Sequence, residues 1–455
     1  MSGVSSRKLS RSATRTGPVI SNQAGPRGGP ATLRRGTIYV AVLGVALIVG
    51  ALGAAAIHVA RIELHKAVTA DEMARARLAA QSGTEYAISV INSNADWRND
   101  YASGVPTTLA DARNTLTGTG VFSFTFTDSG DGDLADEEQD SATLRSIGTA
   151  GGATSVVEVL LMPAGPGLDC LSSSLHSQGV LTVKSGTTLT TNQRVSANSN
   201  ISATGGTIEG GAASTGIITG TVTVQPSSMN VSPPWEMPDP DEVFEFYKVN
   251  GTWIPVDSLS GGDSIREVLL SPSSNPFSGE TNYPQGIYVV DCQGRNITLR
   301  ECRIVGTLVL LNAGSGTNIK DSILMEPAIP NFPALMIEGP LEMDWSYLRN
   351  VDENDLAINL NPLGLPINGI VDAVLGGSWP GGISGLVYLT GNLHVKNQTA
   401  KVNGVVVVGG TVNAESRLSL TYNSTFYNTP PLGFAAGPEM QIVPGTWQRV
   451  AVPNP

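Results

Sequence analysis

The pattern of apolar and polar positions changes character along the chain, and each change predicts an element. From Thr37 to Ala60 there are 24 residues with no charge and no proline. As a helix this run reaches roughly 36 Å, enough to cross a hydrocarbon core of about 30 Å. No proline follows until Pro106, so the helix is predicted to run on to about Trp97. On that extension Leu78, Ser82, Tyr86 and Val90 form one i+4 row, and Ala79, Gly83, Ala87 and Ile91 the row beside it. The stripe is apolar but thin. It suits close packing either on the protein's own β-structure or among like helices.

Beyond the helix the period shortens. Phe122, Phe124 and Phe126 alternate as on a half-buried strand, and the runs ATLRSIG and TSVVEVLLM complete a small meander. From about Leu168 a repeat takes over. Gly286 and Gly306, each before an apolar strand, stand 20 residues apart, Asn296 and Asn318 stand 22 apart, and Gly385 and Gly404 stand 19 apart. An earlier array, from Gly179 through the run beginning at Ile217, has the same texture. Repeats of this length, with glycine before the strand and asparagine at a corner, predict a right-handed parallel β-helix. The inward stack expected from them is Ile287, Val289, Leu308, Leu310, Val387, Leu389, Val405 and Val407.

The fold class expected is therefore mostly β. The predicted order is a tail (1–36), a transmembrane helix (37–60), its amphipathic extension (61–98), a β-meander (99–167) and a solenoid (168–430). Pro-rich stretches at 225–284 and 339–384 read as excursions from the solenoid, and 431–455 as a C-terminal tail. Excursions of this kind commonly carry function, or shield the open strands.

Charge orients the span. Arg7, Lys8, Arg11, Arg15, Arg27, Arg34 and Arg35 precede it with no acidic residue, which places the N-terminus in the cytoplasm and the bulk of the chain outside the inner membrane. A cleaved signal peptide ending near Ala54–Ala56 is the rival reading, although its apolar core would be unusually long. The formal net charge is −12, so with +7 in the first 36 residues the remainder carries −19, which argues against nucleic acid as a partner.

Candidate chemistry is sparse. No two cysteines stand at metal-ligand spacing, and Cys292 with Cys302 is the pair to watch for a disulfide, with Cys170 apart. The acidic loop Asp128–Glu138 departs from the EF-hand template, because Gly130 and Gly132 fall where oxygen ligands should stand; a solvated hairpin and an irregular calcium loop both stay open. No paired aspartates, G-x-S-x-G, Walker A or H-E-x-x-H occurs. An enzyme is not expected, no catalytic, metal or cofactor residue is assigned, and no cofactor is implied.

The order Arg34-Arg35-Gly36, a long apolar helix, then Ala79-Ala80-Gln81-Ser82-Gly83-Thr84-Glu85-Tyr86-Ala87 resembles the N-terminal region of PilX-type minor pilins and of GspK-like pseudopilins of type II secretion. The resemblance spans about 65 residues. It implies cleavage by a prepilin peptidase between Gly36 and Thr37, and assembly with other pilin-like subunits through Leu78, Ala79, Ser82, Gly83, Tyr86, Ala87 and Val90. Major pilins carry a glutamate five residues after the cut; Ala41 stands there, which implies a minor or tip-type subunit. Two functions follow as expectations. One is a structural subunit of a type IV pilus or type II secretion-like apparatus displaying the solenoid. The other is a stand-alone, inner-membrane-anchored β-helix protein that binds or modifies envelope glycan.

Overall fold

The structure is a computed structural model and describes residues 35–107, 120–128, 132–135, 140–223, 229–277, 285–345, 350–435 and 437–451. The chain falls into two compact units, Met1–Val68 and Thr69–Pro455. In the first, every residue from Ile38 to Ala60 is exposed on helix α1 (Arg35–Ile91). Among the described residues α1 is the one helix long and apolar enough to cross a membrane. Nothing within that unit covers its Val, Leu and Ile side chains, so an apolar surround is what they are suited to.

The second unit is mostly β. The C-terminal part of α1 lies on an antiparallel sheet of β1 (Val121–Thr127), β2 (Ala142–Ala150) and β3 (Ala153–Pro163). Phe122, Phe124 and Phe126 turn one face of β1 into the core, as their alternation predicts. The helix itself ends at Ile91, short of the expected Trp97, which opens a separate turn at Trp97–Asp100. The C-terminal residues are no tail. Met440–Ile442 and Gln448–Val450 both pair antiparallel with β3, and Asn92 clamps Met440 through its backbone N–H (2.8 Å) and C=O (2.9 Å). Strands of three residues beside Pro438 and Pro444 are too short to show a period, which is why they read as loop.

Apart from an antiparallel pair of Asn350–Asp352 with Ser378–Pro380, the remaining strands form one large parallel sheet. Each pairs not with its neighbour in sequence but with the strand about one repeat away. One ladder runs from Thr252–Trp253 through Ile287–Asp291, Thr307–Leu311, Pro333–Ile337, Leu386–Leu389 and Val406–Val408. Its next member is Leu175–Ser177, followed by Val195–Ala197, Ala212–Ser214 and Met229–Asn230. The earlier array in sequence is therefore stacked after the last strand of the later one. A second ladder (Ser264, Thr298, Asn318, Glu342, His394, Asn413, Thr182, Ser202, Thr219) and a third (Leu270, Ile304, Met325, Ile383, Val402, Leu420) show the same parallel order.

Corners repeat a single device. The Oδ1 of Asn296 accepts the Gly316 N–H, that of Asn392 the Thr411 N–H, and that of Asn200 the Ile217 N–H, each at 2.8 Å. A side chain thereby supplies the acceptor that a turning backbone cannot offer. Glycine before the strand answers a different need: a Cβ at Gly404 would collide with the carbonyl of Gly385 one rung away.

The expected inward stack is half corrected. Leu308, Leu310, Val387 and Leu389 face the interior, in register with Tyr288, Val290, Val406 and Val408. Ile287, Val289, Val405 and Val407 point the other way, into a second core shared with Met162, Leu171, Phe426 and Phe434. Helix Pro240–Asn250 covers that outer face with Val243, Phe244, Phe246 and Tyr247, and Asp239 caps it by accepting the Asp241 N–H at 2.8 Å. Both faces of this ladder are buried, so its strands read as unbroken apolar runs with no alternation to set the register.

The two excursions are narrower than expected. Within 225–284, Thr252–Trp253, Ser264–Arg266 and Leu269–Leu270 belong to the parallel sheet, and within 339–384 so does Leu341–Asp344.

Candidate functional site

The helical stripe is the surface that the sequence marks for assembly, and packing divides it. Ala76, Ala79, Ala80, Thr84, Ala87 and Ile91 are buried at 4% exposure or less, and Gly83 is buried among them. They meet β1 and β2. A Cβ on Gly83 would strike the Ser146 hydroxyl and stand 2.9 Å from the Phe122 ring, and one on Gly148 would strike the α1 backbone at Ala76 and Ala80. The glycine on the helix and the glycine on the strand together let α1 lie close to the sheet, and Thr84 satisfies its hydroxyl on the Ala80 carbonyl at 3.2 Å. Ala79, Gly83 and Ala87 are thus occupied by the chain's own sheet. Their smallness is explained without a partner helix.

The other row stands differently. Leu78 is 59% exposed, while Ser82, Tyr86 and Val90 are half-buried. Tyr86 leans on Phe122 and Phe124, with ring centroids 5.8 and 6.5 Å away. Leu78 and Met73 are the large apolar side chains left exposed on α1 between Thr69 and Ile91. Gly36 and Thr37 lie in the first turn of α1.

Buried polar groups gather on the 350–381 excursion, where sequence reasoning placed none. Arg303, 2% exposed, donates to the carbonyls of Leu360 (2.5 Å), Leu365 (2.8 Å) and Pro366 (2.9 Å) and to Glu326 (2.5 Å). Glu353, fully buried, accepts the N–H groups of Leu360 (2.8 Å), Gly376 (3.2 Å) and Gly377 (2.8 Å) and the Trp379 indole (3.2 Å). Burial pushes the Glu353 carboxyl up, but these four donors outweigh it and hold the group below the usual carboxylate range. Beside them lies a cavity of about 220 Å³ lined by Arg303, Glu326, Asn368, Trp379 and Ser384. Glu353 spends its bonds on the loop itself, and Arg303 ties the loop carbonyls to Glu326 on the parallel sheet, which makes the pair a brace. No local pattern in the sequence announces it, because the partners lie up to 63 residues apart.

Other titratable groups are equally structural in their surroundings. His176 is buried beneath Trp235 (ring centroids 5.4 Å) with Nδ1 on Ser196 at 2.8 Å, and burial lowers its pKa to about 4. His394 sits between Glu415 (3.1 Å) and Glu342 (4.0 Å) on the second ladder, where Lys184 and Lys396 also pair with those carboxylates. Cys170, Cys292 and Cys302 are free and buried; Cys292 and Cys302 are not disulfide-bonded to each other, and burial pushes both thiols up to about 12. Among the described residues no group of three or more His, Cys, Asp or Glu is placed to hold a metal. Residues 129–131 and 136–139 of the acidic loop fall outside the described residues, and with them the calcium reading.

No protein-family model matches the chain, and no curated protein matches it in sequence. Among solved structures, one similar chain is the competence-associated pilin ComZ from Thermus thermophilus, 12% identical over 83% of this chain and 97% of that one, with a TM-score of 0.28. At that score the likeness carries no argument for fold or function.

Proposed function

We propose that the chain is a membrane-anchored, pilin-like structural subunit, of the PilX or pseudopilin kind, serving a type IV pilus or type II secretion-like apparatus. One observation carries the reading: a single helix whose stretch Ile38–Ala60 is uncharged, strongly apolar and exposed, and whose C-terminal part is laid by small residues onto an antiparallel sheet. The first half anchors in the inner membrane with the basic tail in the cytoplasm. The second half fixes the β-body to the anchor. The parallel ladders, with strands pairing one repeat apart, support a β-solenoid displayed outside the membrane as a spacer or head. In this reading the partners are the membrane and other pilin-like subunits, Gly36–Thr37 is the processing site, and the chain carries no catalytic role.

The test is co-expression of the full chain with a prepilin peptidase, followed by mass spectrometry of the membrane-bound product. A mature N-terminus at Thr37, lost with Gly36→Val, together with crosslinks to other pilin-like subunits, is the expected result. An intact N-terminus and no such crosslinks would leave the chain as a stand-alone anchored protein.

A further inference from the structure

We infer that the open end of the parallel sheet is a self-association surface that takes a second copy of this chain, edge to edge. The inference rests on the sheet alone and is independent of the pilin-like reading.

The two ends of the sheet differ. At the end formed by Thr252–Trp253, Ser264–Arg266 and Leu269–Leu270, the apolar residues Ile254, Val256, Leu259, Ile265 and Leu270 are all buried, at 4% exposure or less. Short turns closed by Ser260 with Ser264 and Ser271 with Ser274 finish it, and Arg266 and Glu267 stand exposed on it. That end is capped. At the other, strand Ile218–Val222 is bonded along one edge to Ile201–Ile208, and no strand pairs with its second edge among the described residues. Ile218 and Val222 turn onto the interior core yet are only half-buried, and Ile217 beside them is 68% exposed. What every inner rung has covered, a backbone edge and the top of its core side chains, is left open here together by the described residues.

The chemistry of this edge names its partner. An unpaired edge presents N–H and C=O groups that an extended strand satisfies, and exposed edges are usually blunted with lysine, proline or other charge. Thr215–Thr223 contains no charged residue and no proline. The acid on the adjoining rung, Glu209, is held by the Thr190 hydroxyl at 3.0 Å. Since the chain beyond residue 36 carries −19, two copies repel over most of their surface and can meet only where it is locally neutral, as it is here. Head-to-tail stacking would bring this edge against the capped end with its Arg266 and Glu267. A two-fold pairing brings two neutral edges together, antiparallel, and buries Ile217, Ile218 and Val222 from both copies.

The full chain in detergent micelles tests this by sedimentation velocity and by crosslinking. The wild type is expected to dimerise, and Thr219→Cys and Thr221→Cys variants to be joined by a short bis-maleimide, the native cysteines being buried. The double variant Thr219→Lys/Thr221→Lys should weaken dimerisation at least about tenfold with unchanged melting, whereas Thr219→Ser/Thr221→Ser should not. A wild-type monomer at its highest soluble concentration overturns the inference. So does a dimer that survives the double lysine variant, since it would be held elsewhere, as through α1.

Discussion

Gly83→Leu probes the contact on which the attachment of the β-body to its helix depends. Gly83 is buried on α1, and the first added carbon would already collide with the Ser146 hydroxyl and approach two Phe122 ring atoms at 2.9 and 3.0 Å. Three further carbons have no space to enter. Inserting atoms into a packed site costs about 1–3 kcal/mol, with the upper end apt where a buried aromatic ring lines it. Replacing a mid-helix glycine returns about 0.8–1 kcal/mol of helix propensity. The net loss should be about 2 kcal/mol, concentrated where α1 meets β1 and β2. Amide hydrogen exchange on the full chain in detergent reads it: amides of Val121–Thr127 and Ala142–Ala150 should lose protection by about 30-fold, while those of the parallel sheet hold. Leu78→Ala, at an exposed position on the same helix, should change little. If Gly83→Leu leaves exchange on β1 and β2 at the wild-type level, the helix does not pack there and the small residues serve another surface.

Leu310→Asp should cost several kcal/mol and collapse the neighbouring rungs, because Leu310 is fully buried in the interior core with no counter-charge at hand; a melting curve matching the wild type would refute the register. His176 gives a pH test. Its folded pKa, about 4, lies below the ordinary value of 6.5, so the unfolded chain binds the proton first and stability falls as pH drops from about 6.5 to 4, by about 3 kcal/mol in all. In a His176→Asn variant that part of the acid sensitivity should vanish, and an unchanged pH–stability slope would count against the buried neutral imidazole.

How much was legible from the residues follows from range. The apolar helix, the alternation of Phe122, Phe124 and Phe126, and the repeat of glycine-led strands with asparagine corners are local patterns, because each arises from a period of one element or one repeat. Period and spacing determined a long helix, a meander and parallel pairing about one repeat apart. Three things depended on tertiary structure. The face of the thin helical stripe was decided by Gly148 and Ser146, which complement Gly83 from a strand far along the chain. Which of Ile287 and Tyr288 turns inward was decided by helix Pro240–Asn250, since a strand buried on both sides shows no alternation. The stacking order was decided by the pairing of Val406–Val408 with Leu175–Ser177, rungs far apart in sequence whose edges are chemically alike. Nearly equivalent repeats tell a reader that they stack, but backbone edges carry no address; only the return of the chain along the outer face puts the first array after the last.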